Sequence, residues 1–262
     1  MDLHLTDKLA LVSGSTKGIG FAIARLLARE GARVIVNGRS EEAVAQALNN
    51  ITHEVPGARL EAFPADLSKA AEAARLLERF PAVDILVNNL GIYQPSPFEE
   101  ISDEDWRHLF EVNVLSAVRL SRQYLPAMRE QNWGRLIFIS SESGVQIPLE
   151  MIHYGMTKTA MLAVSRGIAE SLAGTGVTSN AVLPGPTLSA GVEEFATKLS
   201  GGRTLEEFEK EFFQTVRPSS LLKRFATIDE VANLVAYVAS PLSSATNGAA
   251  LRVDGGVVRS CF

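Results

Sequence analysis

The 262-residue chain holds a single cysteine, Cys261, next to its end. A lone cysteine closes no intrachain disulfide, and without thiol neighbours it builds no metal site. The four histidines, His4, His53, His108 and His153, are not spaced as a ligand set, so no metal is expected. No stretch approaches the ~18 continuous apolar residues that a membrane span needs. The first residues, Met-Asp-Leu-His-Leu-Thr-Asp-Lys, lack the cationic region and apolar run of a signal peptide. Basic clusters are missing too, and the net charge is -5, which argues against nucleic acid or an anionic membrane as partner. There is no sequence repeat and no linker rich in Pro, Gly or Ser. With 46% hydrophobic and 21% charged residues, the composition is that of an ordinary globular protein. The expectation is a soluble, cytoplasmic protein forming one domain over residues 1–262.

What the chain does contain is an alternation of short apolar runs and helical stretches. Leu9 to Val12 suits a strand buried on both faces. It leads through Ser13-Gly14-Ser15-Thr16-Lys17-Gly18-Ile19-Gly20 into a helical stretch, Phe21 to Glu30, and then a second strand, Arg33 to Asn37. Such a β-α-β unit implies a parallel pair with a right-handed crossover. Glycines at the first turn let the backbone turn tightly and approach a pyrophosphate, while the helix N-terminus offers it unpaired N–H groups. Further strands read at 59–63, 84–88, 135–139, 177–182 and 249–253, with helices at 41–54, 69–80, 103–130 (or broken near Pro126), 151–172 and 227–239. The pattern predicts an α/β fold, a single doubly wound Rossmann-type domain whose parallel seven-stranded sheet carries helices on both faces. One segment, Pro186 to Ser220, falls outside the alternation. Two acidic helical pieces, 192–199 and 204–216, flank Gly201-Gly202, which marks residues 186–217 as a candidate substrate lid.

Tyr154 and Lys158 stand four apart at the start of the 151–172 helix and so share a face. A neighbouring ammonium favours the phenolate, so the spacing predicts a lowered Tyr154 pKa and proton exchange with an alcohol or carbonyl oxygen near neutral pH. In an open α/β sheet, ligands bind beyond the carboxyl ends of the strands. The polar residues at those ends are Gly14 to Gly20, Asp66, Asn88-Asn89, Ser140-Ser141 and Pro184-Gly185.

In order along the chain, Gly14-x-x-x-Gly18-x-Gly20, Asp66-Leu67, Asn88-Asn89-Leu90-Gly91, Asn113, Ser141, Tyr154-x-x-x-Lys158, Pro184-Gly185 and Val253-Asp254-Gly255-Gly256 closely resemble the short-chain dehydrogenase/reductase family. The resemblance covers essentially the whole chain, and within the family it is to members like the 3-oxoacyl-carrier-protein reductases. It implies that Tyr154 is the general acid in reduction and the base in oxidation. Lys158 would bind the nicotinamide ribose and tune Tyr154, Ser141 would bond the substrate oxygen, and Asn113 would hold a water linked to Lys158. Ser140 and Ser143 are the alternatives to Ser141. The cofactor contacts implied are Gly14, Ser15, Thr16, Lys17, Gly18, Ile19, Gly20, Arg39, Asp66, Leu67, Asn89, Gly91, Tyr154, Lys158, Pro184, Gly185 and Thr187, with Ser189 the alternative to Thr187 at the nicotinamide carboxamide. Tyr93, Gln94, Ser143, Val145, Gln146, Ile147 and Leu188 would line the substrate pocket, and His153 would lie in that pocket or on the surface. Ser13 in place of a threonine and Leu90 in place of an alanine depart from the family pattern.

The activity so implied is hydride transfer between NADP(H) and a carbonyl or secondary alcohol. The substrate would be a 3-oxoacyl thioester, or alternatively a sugar, polyol or small xenobiotic carbonyl; a nucleotide-binding protein without turnover is the reading from another class. NADP(H) is expected because Gly38 stands where NAD enzymes place an acid at the end of the second strand. Arg39 and Lys17 then offer cations to a 2′-phosphate. The resemblance also implies a homo-oligomer, a tetramer as family members commonly are, packing helices 103–130 and 151–173 against partners.

Overall fold

The computed structural model of the protein describes residues 2–189 and 204–261. Its first half alternates β1 (Leu9–Val12), α1 (Gly18–Arg29), β2 (Arg33–Gly38), α2 (Glu41–Glu54), β3 (Arg59–Pro64), α3 (Ala70–Arg79) and β4 (Ile85–Asn88). Next, α4 (Asp103–Phe110) passes through a π-helical turn, Glu111–Leu115, into α5 (Ser116–Glu130). Then come β5 (Gly134–Ile139), α6 (Ile152–Ser171), β6 (Val177–Pro184), β7 (Thr187–Leu188), α7 (Leu205–Thr215), β8 (Ala226–Thr227), α8 (Ile228–Ala239) and β9 (Ala250–Val253). The expected helix 192–199 and the Gly201-Gly202 pair lie outside the described residues.

Seven strands form one sheet in the order β3-β2-β1-β4-β5-β6-β9, every neighbouring pair parallel. Parallel sheets are covered on both faces, which is why the central strands β1, β4 and β5 are near-continuous apolar runs. Alternate residues serve opposite sides. Ala10 and Val12 of β1 pack with α1, α2 and α8, whereas Leu11 between them packs with α3, α5 and α6. Leu27 of α1 is fully buried in the first of these layers, and its truncation to alanine would cost about 2–5 kcal/mol. The chain runs outward from β1 to β3 and then returns to place β4 on the other side of β1. The sheet thus reverses its order between β1 and β4, and a crevice opens beyond the carboxyl ends of those strands.

The expected long helix runs from Asp103 to Glu130 without a break at Pro126, which lies within α5. It carries a π-turn around Asn113, where the extra residue turns a fully buried side chain towards neighbouring segments. A second, two-stranded sheet of β7 and β8 was not anticipated. Phe212 and Phe213 of α7 pack on Phe225, just before β8, with ring centroids 5.1 Å away in each case. The end of the candidate lid is therefore joined to the body of the fold through an aromatic cluster. Among the described residues no helix is long and apolar enough to cross a membrane.

Candidate active site

Because all seven strands run the same way, the loops after β1, β3, β4, β5 and β6 gather along one edge of the sheet. The loop after β1 is shaped by what its glycines lack. Gly14 and Gly18 have φ of 62° and 60°, a left-handed backbone that glycine tolerates best. A Cβ on Gly20 would stand 2.4 Å from the Gly14 carbonyl oxygen, so helix and loop can approach only as they do. Ser and Thr side chains cap α2, α4, α7 and α8, whereas α1, which follows Lys17, has no side-chain cap, as is also true of α3 and α6. The first N–H groups of α1 are left to a ligand, and an anion suits both those groups and the helix dipole.

The rest of the cradle is tied together by buried hydrogen bonds. Ser15 Oγ donates to the Val12 carbonyl at 2.7 Å and accepts from the Asn37 amide at 2.9 Å, so only its backbone can face a ligand. Ser13 Oγ accepts from the amides of Asn89 and Leu90 at 2.9 and 3.2 Å, holding the loop after β4 against that after β1. Asn89 Nδ2 donates to the carbonyls of Ser13 and Gly14, both at 3.0 Å. The unusual Leu90 fits by packing against Gly14 and the core beneath it. Leu67 lies wholly in the core and could meet a ligand only through its backbone, while Asp66 Oδ1 accepts from the amide and hydroxyl of Ser68. At the rim, the space of an absent Gly38 Cβ is filled by the Thr16 methyl, 2.3 Å away. The next residue on each side, Arg39 and Lys17, is exposed, and neither has an ion-pair partner among the described residues.

At the other end of the crevice, Lys158 of α6 is buried, and its Nζ donates to the Ile139 carbonyl at the end of β5, 2.9 Å away. Burial draws its pKa from 10.5 down to about 8. Gly91 allows this approach, since a Cβ there would sit 3.3 Å from Nζ and 3.8 Å from Asn113 Oδ1. Asn113 links three segments. Its Oδ1 accepts from the Ile92 amide at 2.8 Å, and its Nδ2 donates to the Ile92 carbonyl at 2.9 Å and to Thr157 Oγ1 at 3.0 Å.

Of the three candidate serines, Ser140 donates to the Lys158 carbonyl at 2.8 Å and is thereby occupied within the fold. Ser141 lies next to Tyr154 and favours its charged form through hydrogen bonding. It donates to Glu142 Oε2, which also accepts from the amide and hydroxyl of Ser143 at 2.7 and 3.0 Å. Glu142 Oε1 accepts from Arg217 Nε at 3.0 Å, and Arg217 reaches Glu150 at 3.2 Å. Glu142, Glu150 and Arg217 were not singled out in the sequence. An acid between two serines was the only local signal, and its cation lies 75 residues away.

The expected sign of the Tyr154 shift is reversed. Burial raises its pKa, the Glu142 carboxylate adds to the rise, and the opposing influences of Ser141 and Arg217 are outweighed. Lys158 does not supply the expected counterweight, because its ammonium is turned to Ile139 and stands 5.5 Å from the centre of the Tyr154 ring. Tyr154 is thus held as a protonated donor. His153 is in neither the pocket nor the surface; it is buried edge-on against Trp106 of α4, with 5.8 Å between ring centroids, and burial lowers its pKa. Thr187 Oγ1 donates to the Gly185 carbonyl at 2.9 Å, and Ser189 Cβ is 3.6 Å from where a Gly18 Cβ would stand, so each borders the crevice. Among the described residues no group of His, Cys, Asp and Glu could hold a metal ion.

Comparison with known proteins gives a consistent picture. Residues 14–258 match the family described as enoyl-(acyl carrier protein) reductase. The uncharacterized oxidoreductase YvaG of Bacillus subtilis is 48% identical, with 100% of both chains covered. A D-beta-hydroxybutyrate dehydrogenase of Cupriavidus necator is 35% identical over 97% of this chain and 99% of its own. Among solved structures, L-sorbose reductase from Gluconobacter frateurii, complexed with NADPH and L-sorbose, superposes with a TM-score of 0.92 at 29% identity, covering 99% of this chain and 100% of that one.

Proposed function

The chain belongs to the short-chain dehydrogenase/reductase family and is an oxidoreductase acting on CH–OH groups, and from that premise we propose that it reduces a carbonyl on an apolar chain, such as a 3-oxoacyl thioester, with NADPH. The observation that carries the reading is the convergence of Ser141, Tyr154, Lys158 and Asn113 at the edge of the sheet that also holds the uncapped start of α1. The cradle fits a dinucleotide. The left-handed Gly14 and Gly18, together with Gly20, would admit a pyrophosphate, and Arg39 and Lys17, without an ion-pair partner among the described residues, stand at the rim for a 2′-phosphate.

Asp66, Asn89, Gly91, Pro184, Gly185 and Thr187 would complete the lining around the adenosine and nicotinamide. When bound, the nicotinamide supplies the hydride in reduction and accepts it in oxidation. The protein's own part is to handle the proton. As the carbonyl oxygen gains negative charge, Tyr154 gives it a proton and Ser141 donates a hydrogen bond, both stronger in the transition state than before it. Buried Lys158, held on the Ile139 carbonyl, would bind the nicotinamide ribose, and Asn113 fixes the loop after β4 to α6 so that the two sides of the pocket keep their spacing.

Exposed apolar side chains around Tyr154 support an apolar substrate chain. Tyr93 packs edge-on to Tyr154, with ring centroids 6.1 Å apart, and Ile147 covers Gly155. A sugar or polyol substrate is the second reading, favoured by the charged Glu142 and Glu150 on the loop after β5 and by Arg217, which reaches both from beyond α7. A panel of ethyl acetoacetate, a ketohexose and an aryl ketone, assayed with NADPH and NADH, separates the two. The first reading expects ethyl acetoacetate to turn over best; no turnover of any member would contradict the function.

The domain is read as a single unit over 1–262, in the cytoplasm, with residues 186–217 as a substrate lid. Hydrogen exchange over 204–217 should slow when NADPH and substrate are added; unchanged exchange would refute the lid. A homotetramer is proposed from the apolar residues of α6 that stay partly exposed, such as Leu162, Val164 and Ile168, and a monomer by light scattering would refute it.

A further inference from the structure

Glu142 is a buried carboxylate that the reaction described above does not use, and it stands beside the serine that the reaction needs. Among the described residues its charge is compensated by one, Arg217, which itself is only 11% exposed at the side chain. Arg217 follows α7, far along the chain from the loop after β5 that carries Glu142. Breaking a buried pair of this kind leaves an uncompensated charge, so such pairs persist only where both partners are held in place.

We propose that Glu142 and Arg217 form a positioning pair for this reaction, Glu142 fixing the orientation of the Ser141 hydroxyl and Arg217 fixing Glu142. The inference rests on the catalytic reading of Ser141, Tyr154 and Lys158. A serine hydroxyl has three staggered side-chain positions. Here one is selected from two directions, since Ser141 donates to Glu142 and accepts from the Ser143 amide at 3.1 Å. Glu142 is not dependent on Ser141 in return. It keeps the Ser143 amide, the Ser143 hydroxyl and Arg217 as donors, so Ser141 can pass its hydrogen bond to a substrate oxygen without stranding the carboxylate.

The pair also sets the field at Tyr154. The groups facing that phenol are Lys158 on its own helix, Tyr93 from the loop after β4, Ser141 and Glu142 from the loop after β5, and Arg217 from beyond α7. Glu142 favours the protonated phenol, and Arg217 favours the phenolate. A pair that served only to brace the fold would affect folding and overall rate. A pair that acts on the reacting hydroxyls must also move the pH dependence, and in opposite directions for its two members.

The test follows oxidation of ethyl 3-hydroxybutyrate with NADP across pH for the parent, Glu142→Gln, Arg217→Gln, Arg217→Lys and Tyr154→Phe, with melting temperature and NADPH binding measured for each. Oxidation needs the phenolate, so its rate rises with pH. Glu142→Gln should move the midpoint of that rise down by about one pH unit. It should also lower kcat/KM about tenfold, because a glutamine cannot accept from both Ser141 and Arg217. Arg217→Gln should move the midpoint up, and Arg217→Lys, which keeps the charge, should leave it near the parent's even if the other variant folds poorly. Midpoints that stay fixed, or that move the same way for Glu142→Gln and Arg217→Gln, overturn the inference while an inactive Tyr154→Phe leaves the catalytic reading standing. A Tyr154→Phe variant as active as the parent overturns both.

Discussion

Lys158 Nζ donates to the carbonyl oxygen of Ile139 at 2.9 Å, which holds the buried ammonium at the end of β5 and away from the phenol four residues earlier. The relationship gives the lysine a cost in the fold. A charged group removed from water is disfavoured unless paired, and a backbone carbonyl is a partial partner only.

That cost should show in the pH dependence of stability. The folded chain releases the Lys158 proton near pH 8, whereas the unfolded chain holds it to about 10.5. Between those values the unfolded state binds the extra proton, so stability rises with pH there. Relative to Lys158→Met, the parent should gain roughly 3 kcal/mol in total as pH climbs from 8 to 10.5, with the full penalty present below 8. Urea unfolding of both proteins across that range checks this; a stability difference independent of pH would contradict it.

A second expectation concerns the rim of the cradle. Gly38 is needed because the Thr16 methyl fills the place of its Cβ. Gly38→Ala should therefore weaken NADPH binding on the order of tenfold, as the loop after β1 is pushed from its seat. Adding Thr16→Ser removes the offending methyl and should restore most of the affinity. Titration of the three proteins with NADPH decides it, and a double variant no better than Gly38→Ala would show that the clash is not the cause.

Cofactor preference gives a third. With Arg39 and Lys17 exposed and unpaired among the described residues, NADP should bind roughly fiftyfold tighter than NAD, and Arg39→Ala should remove most of that ratio. The preference should shrink as salt rises, because the contact is at the surface. Equal affinities in the parent, or a ratio indifferent to Arg39→Ala, would exclude these cations as the selector.

Much of the fold was legible because buried parallel strands must be apolar along their length. β1, β4 and β5 therefore announce themselves in the sequence, and their observed bounds fall within two residues of those expected. β7 and β8, two residues each, are too short to show any period. Composition gives a long helix over 103–130, or one broken near Pro126, but has no sign of the π-turn at Glu111–Leu115, whose Asn113 side chain bonds to Ile92 and Thr157. In the site, spacing correctly brings Tyr154 and Lys158 onto one helix. It could not give the sign of the tyrosine's shift, which depends on burial and on Glu142, twelve residues upstream. Nor could it pair Glu142 with Arg217, since contacts between distant segments leave no periodic trace.

The central claim is that Tyr154 gives and takes the proton while NADPH carries the hydride. The most direct test is ethyl acetoacetate reduction, followed by NADPH absorbance, in the parent and in Tyr154→Phe, with NADPH binding measured on both. Phenylalanine removes the donor and little else, so turnover should fall by roughly a thousandfold while NADPH affinity stays within about threefold of the parent's. A Tyr154→Phe variant that reduces the substrate at close to the parent's rate would contradict the account.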